Sequence, residues 1–163
     1  MLVKRAMSKN VVSVSVPGNR EKVLDLMRKE DKAVLPVVKG DTKQLVGLIT
    51  RSDLIVNPDE EQIAILMSTD LVTASPDDDV KDVAKKMIDN NVRRVPVVDD
   101  NGDLVGIITS FDLVSNALIK LESDDPVENF MITTVPTTWY KTPLNVAFET
   151  MKQFGLKSVL ALN

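Results

Sequence analysis

The sequence predicts an α+β fold in which a strand–helix–strand–strand–helix unit occurs twice in full and a third time in part. Three observations carry this. Residues 45–54, LVGLITRSDL, return at 104–113 as LVGIITSFDL, with seven of ten positions identical. MSKNVVSV at 7–14 returns as MSTDLVTA at 67–74 and more faintly as MITTVPTT at 131–138. VLPVV at 34–38 returns as RVPVV at 94–98, with a loose echo in SVLAL at 158–162. Such self-similarity at a fixed spacing marks a repeat architecture. The shift between the first two copies is 60 residues at Met7/Met67 and Pro36/Pro96 but 59 at Gly47/Gly106, so the second copy is one residue shorter in its turn.

Taken in order, copy one opens with a strand at 11–14, followed by a Pro17-Gly18-Asn19 turn. Val23, Leu24, Leu26 and Met27 recur at helical spacing between charges, which predicts a helix over 20–29. A Val-rich strand at 33–38 carries an early proline, Pro36, which points to a sheet edge or a bulge. Gly40-Asp41 turns the chain into a strand at 44–50, a helix at 52–56 and, after Asn57-Pro58-Asp59, a connecting helix at about 60–67. Copy two repeats the order. It has a strand at 72–74, then a helix start with Ser75 as the cap, Pro76 in the first turn and acidic residues 77–79 at the positive helix end. Val80, Val83, Ala84, Met87 and Ile88 form that helix's apolar stripe. Strands at 94–98 and 104–109 flank a turn at 99–102, and a helix runs over 110–121. Copy three supplies a helix at 143–154 and a strand at 158–162, without the hairpin partner or the Gly-x-x-Thr-x-x-Asp phrase. The expected units are 1–59, 60–122 and a partial unit, 123–163, which is half of a sheet and expects completion by further chain or another molecule.

Composition narrows the function. Apolar residues make up 44% and charged residues 27% of 163, which suits a folded domain rather than a disordered one, and aromatics are only 4%, so the core is aliphatic. A net charge of −4 with no basic tract argues against nucleic acid and anionic membranes as partners. There is no cysteine and no histidine, which removes thiolate metal sites and the usual general base. No apolar run reaches the ~20 residues that span a bilayer, and the N-terminus lacks a signal-peptide pattern, so a cytoplasmic location is expected. No Ser/His/Asp set, metal cluster or Gly-rich phosphate loop is present, so the reading is of a protein that is not an enzyme.

The doubled Thr-x-x-Asp stands at a strand-to-helix junction and admits two readings. One is a capping box, in which Thr50 or Thr109 caps the helix and Asp53 or Asp112 reaches back to the cap N–H. The other is a ligand grip. A helix N-terminus offers N–H groups and partial positive charge to a phosphate, the threonine hydroxyl adds a donor, and a carboxylate suits a ribose diol. Arg93 and Arg94 precede Pro96, and strand alternation sends one towards a cleft and the other away. Copy one has Ala33 and Val34 there, with Lys32 just before.

These phrases resemble the CBS domain (cystathionine β-synthase domain). Residues 7–56 and 67–119 resemble a tandem pair, or Bateman module, and 131–163 the first half of a third domain, as in a four-domain protein like the gamma subunit of AMP-activated protein kinase. The resemblance implies two β-α-β-β-α units packed about a pseudo-twofold axis, with clefts for an adenosine ligand: AMP, ADP, ATP or S-adenosylmethionine. It implies no obligatory cofactor. Asp53 and Asp112 would hold ribose hydroxyls, Thr50 and Thr109 phosphate or ribose, and Val12, Ser13, Val72 and Thr73 the base. Arg94, in an Arg-x-Pro phrase closed by Pro96, would reach phosphate, and Val34 in its place in copy one breaks the equality of the two clefts. A regulatory module that signals to an unidentified protein, working as a homodimer, is the expected function. A ligand-independent assembly scaffold is the alternative.

Overall fold

In the computed structural model, which describes residues 1–117, 124–156 and 158–163, the twice-said phrase folds twice into the same junction. β3 (Leu45–Thr50) runs without a break into α2 (Arg51–Val56), and β5 (Leu104–Thr109) into α5 (Ser110–Ala117). Each of these strands is the second arm of a hairpin. β2 (Val34–Lys39) pairs antiparallel with β3, and β4 (Arg94–Val98) with β5, with a bulge at Val37/Val38 and at Val97/Val98. The register is the same in both, with Val34 opposite Thr50 and Arg94 opposite Thr109. The missing residue is in the turn, because Val38 pairs with Leu45 but Val98 with Leu104.

Pro36 is not on an edge. β2 lies between β3 and the parallel strand β1 (Val14–Val16). Leu48, opposite Pro36, donates its N–H to the Ser68 carbonyl at 3.0 Å and accepts from the Ser68 N–H at 2.8 Å, and so faces away from the proline. No donor is asked of Pro36 within that pair. Pro96 stands opposite Ile107 in the same way, and its carbonyl accepts from the Ala74 N–H at 3.0 Å. A bulge follows in the ladder, but Pro36 itself pairs in register with Leu48, so neither an edge nor a bulge accounts for it.

Two helices cover the sheets. α1 (Arg20–Lys29) is capped by Asn19, whose side chain accepts from the Glu21 N–H at 2.8 Å, and buries Val23 and Met27 four residues apart. It stops where Asp31 turns left-handed at φ 48°, with the Lys32 N–H reaching back to the Met27 carbonyl at 2.8 Å. α4 (Val80–Asp89) ends identically on Asn91 at φ 52° and the Val92-to-Met87 bond at 2.9 Å. Its beginning departs from expectation, since Asp79 rather than Ser75 is the cap, accepting from Lys81 N–H at 2.9 Å. Residues 75–78 form a turn instead. The Ser75 N–H donates to the Asp78 carboxylate, and the Pro76 and Asp78 carbonyls accept from Lys4 and Val3 N–H, both at 2.9 Å. Two further strands shift. The segment 11–14 pairs with β2 only from Val14 onward, so the strand runs to Val16, and 72–74 keeps a single bridge, Ala74 to Val97. The connecting helix is one turn, α3 (Ile63–Leu66), and the end of the helix expected at 110–121 lies outside the described residues.

Each core is finished by the other copy's entry segment. Val3 and Ala6, which lead into copy one, pack with Val83, Met87, Val95 and Ile108 of copy two. Ile63 and Leu66, which lead into copy two, pack with Met27, Leu35, Ile49 and Leu54 of copy one. The backbone follows suit, with Ser8 bridged to Ile107 and Ser68 to Leu48. The hairpins also meet at their turn ends, where Leu45 N–H bonds Gly102 at 3.1 Å and Leu104 N–H bonds Lys43 at 2.8 Å. These reciprocal contacts are a pseudo-twofold relation written in hydrogen bonds.

Lys86 fastens the turn before α4. Its Nζ lies 3.1 Å from Asp78 Oδ2 and 3.4 Å from the Thr73 carbonyl. Burial alone would raise Asp78, but the bonds from Lys86 and the Ser75 N–H outweigh it and hold the carboxyl below its ordinary value. A lowered carboxyl stabilises above about pH 4, and the contribution fades as the pH falls through its folded value. Asp78→Asn is therefore expected to lower the urea midpoint at pH 7 and to fall short of the parent by less at about pH 2.5. An equal deficit at both values would refute the ionic account.

The chain divides into two compact units, Met1–Glu122 and Ser123–Asn163. In the second, β6 (Thr137–Trp139) and β7 (Leu160–Leu162) pair in parallel, joined through α6 (Leu144–Gln153). None of its described residues is buried, and Leu144, Phe148 and Phe154 stand open to solvent.

Candidate functional site

The site begins with the cap. At the α5 junction Asp112 Oδ2 accepts from the Thr109 N–H at 2.8 Å and from its hydroxyl at 2.6 Å, while Thr109 Oγ1 accepts from the Asp112 N–H at 3.1 Å. The α2 junction matches it, with Asp53 and Thr50 at 2.8, 2.8 and 3.2 Å. Both pairs are capping boxes. Each threonine hydroxyl gives its proton to its own aspartate, so that proton is already spent. The carboxylates use only Oδ2 in this way. Oδ1 of Asp112 accepts no hydrogen bond from a described residue, which leaves a half-buried acceptor at the mouth of a helix.

Asp112 borders a cleft of about 320 Å³. Copy one contributes Asn10, Val11 and Val12 and the run 31–36, and copy two contributes Arg94, Ile107, Thr109 and Asp112. The reciprocal entry segments explain this mixture: Ser8 is bridged to Ile107, so the chain that follows it crosses in front of the copy-two junction. Arg94 is placed by register opposite Thr109, and its guanidinium makes no hydrogen bond or ion pair with any described residue. Val11, Val12, Ile107 and Pro36 give the cleft apolar walls, and Lys32 and Arg94 give it cations.

Of the residues singled out from sequence, Val12, Arg94, Thr109 and Asp112 thus come together. The others lie elsewhere. Thr50 and Asp53 stand at the matching copy-one junction. Arg93 lines a groove with Ile88, Ser110 and Leu113 on the helical side. Ser13 lines a separate recess of about 180 Å³ with Lys9, Thr42 and Lys43. Val72 packs against the copy-two core, Thr73 is bound through its carbonyl, and Pro96 is buried in its strand. Asn10, Asp31 and Ile107 were not foreseen. The signal for Asp31 was its position after a helix end, where the chain turns left-handed and the residue comes to line the cleft.

A sequence model of the CBS domain matches residues 3–59 and again 61–118. The chain belongs to the CBS domain family. It is 36% identical over 85 residues to protein MK0525 of Methanopyrus kandleri, an alignment covering 48% of this chain and 43% of that protein, so the chain spans under half the length of that relative. Among solved structures it resembles the CBS domain pair of protein MJ0100 in complex with 5'-methylthioadenosine and S-adenosyl-L-methionine, with a TM-score of 0.65, 32% identity and coverage of 71% of this chain and 98% of that one. It also shares its fold with protein MJ1225 of Methanocaldococcus jannaschii, a proposed archaeal homologue of γ-AMPK, at a TM-score of 0.82, 20% identity and coverage of 99% of this chain and 66% of that one. Residues 1–117 are accordingly a CBS pair, in which each junction is presented to the entry segment of the opposite copy.

Proposed function

We propose that the chain is a regulatory module whose CBS pair binds an adenosine ligand in the Asp112 cleft. The observation that carries the proposal is the convergence on one cavity built by both copies of Asp112, whose Oδ1 accepts no hydrogen bond from a described residue, Arg94, whose guanidinium pairs with no described residue, and apolar walls. Asp112 Oδ1 would accept from a ribose hydroxyl, Arg94 and Lys32 would meet a phosphate, and Val12 and Ile107 would pack on the base. The adenosine ligands held by the MJ0100 pair support the ligand class. Because both copies wall the cleft, a ligand would favour one packing of the pair over others and so bias a regulated protein bound to it. No residue set for bond-making chemistry enters this reading, which is of a non-enzymatic sensor. A homodimer in the cytoplasm completes the proposal; no described helix is long and apolar enough to cross a membrane.

Calorimetric and thermal-shift titration with AMP, ADP, ATP and S-adenosylmethionine tests it. Asp53→Ala and Asp112→Ala each remove one capping box, so both are expected to cost about 1 kcal/mol of stability. Only Asp112→Ala should abolish binding in this cleft. Parent protein whose melting no adenosine ligand raises, or an Asp112→Ala variant that binds like the parent, would overturn the reading. One observation favours the alternative, a ligand-independent scaffold: both Thr-x-x-Asp pairs close as capping boxes on their own helices. An oligomer whose light scattering is indifferent to every nucleotide would support it.

A further inference from the structure

We propose that the recess beside Lys9 and Lys43 binds a small oxyanion of the phosphate class, at a site separate from the Asp112 cleft. The segment that crosses in front of copy two divides the two spaces. Its residues alternate: Ser8, Asn10 and Val12 line the cleft, Lys9 and Ser13 line the recess, and Val11 borders both. The recess holds about 180 Å³. Pockets for drug-sized ligands run to about 300–1,000 Å³, so this one suits a single tetrahedral anion rather than a nucleoside.

Its chemistry is that of donors. Lys9 and Lys43 bring two ammonium groups, and no carboxylate is among the described residues that line it. Neither ammonium makes an ion pair or a hydrogen bond with a described residue. The Ser13 hydroxyl is likewise unclaimed among the described residues, whereas that of Thr42 is committed to the Lys39 carbonyl at 2.6 Å. Val38 and Leu104, both buried, supply an apolar floor. Two like charges that face one recess over such a floor repel, and an anion between them relieves the repulsion. The backbones that present them are fixed from opposite sides. The Lys43 carbonyl accepts from the Leu104 N–H at 2.8 Å, and Lys9 follows Ser8, which is bonded to Ile107. The fold does not require these cations. Lys9 and Ser13 are matched by Thr69 and Thr73, and copy two closes its hairpin with DDNGD at 99–103 where copy one has KGDTK at 39–43.

Titration of the ¹⁵N-labelled full chain with inorganic phosphate, at an ionic strength held constant with chloride, tests this. The amide signals of Lys9, Ser13 and Lys43 should shift and saturate. Lys9→Gln and Lys43→Gln should each weaken phosphate by about tenfold, the lower end of the worth of a charge-assisted hydrogen bond. Lys29→Gln, which removes the same charge from the exposed end of α1, should bind like the parent. Shifts that never saturate, or a Lys29→Gln variant weakened as much as Lys43→Gln, would reduce the effect to diffuse surface charge and overturn the site. Shifts centred on Thr109 and Asp112 would place the anion in the cleft and overturn the recess, while the adenosine reading stands. Two further titrations identify the source of the oxyanion. Phosphate that still binds at saturating ATP is held as a free ion, and phosphate displaced by ATP but not by adenosine marks the recess as the seat of a nucleotide's own phosphates. A thermal melt of each variant separates a folding defect from lost affinity.

Discussion

Ile63→Ala is expected to destabilise the CBS pair by about 2–5 kcal/mol, read as a fall in the urea midpoint, with both copies lost in one transition. Ile63 is 0% exposed and packs among Met27, Leu35, Ile49 and Leu54, although it precedes copy two in the chain. Its removal opens a cavity in copy one that the neighbours cannot fill. Gly18 already lies so close that a Cβ there would come within 2.6 Å of the Ile63 side chain. The backbone is equally fixed, since the Ile63 N–H meets the Gly18 carbonyl at 3.3 Å and the Met67 N–H meets the Ile63 carbonyl at 2.9 Å. Because Val3 plays the converse part in copy two, neither core is complete without the other copy's entry segment. Two separated unfolding transitions, or a loss below about 1 kcal/mol, would contradict this account.

Gly106→Ala should cost about 1–3 kcal/mol by overpacking. A Cβ at Gly106 would stand 2.5 Å from Met7 Sδ and 3.2 Å from the Ser8 carbonyl oxygen. The sulfur can swing aside, but the carbonyl cannot, because Ser8 and Ile107 exchange hydrogen bonds of 2.9 and 3.0 Å. A Met7→Ala replacement should therefore recover part of the loss and not all of it. The double-mutant cycle measures that share, and strict additivity would deny the contact. Gly47 meets Met67 and Ser68 at the same distances, so Gly47→Ala should behave alike.

The glycine in each repeated phrase thus has a steric reason that its sequence showed only as recurrence. Legibility followed this line elsewhere. The repeats, the hairpins and the capping boxes were readable because each is decided within about ten residues of chain, by a period, a turn or a reciprocal side-chain bond. What was misread depends on distant partners. VVSVSV alternates so evenly that nothing local says where pairing starts, and β2 settles it at Val14. Ser75 looked like a cap, but Val3 and Lys4 claim the carbonyls beside it and Asp79 takes the cap. The cleft divides likewise. Asp112 and Arg94 were visible as chemistry, whereas Asn10, Asp31 and Ile107 enter only because the copies cross in front of each other. Local pattern also left open whether Asp112 serves as a cap or as a ligand group, and the structure gives Oδ2 to the first role while Oδ1 accepts no hydrogen bond from a described residue.

The crossing of the entry segments has a last consequence. The connection at 57–62 also holds two halves together at an effective concentration on the order of millimolar. Each half carries an arm shaped for its twin. A polypeptide with one copy alone would reach the same packing by trading arms with another of its kind, a symmetric swap that closes on itself.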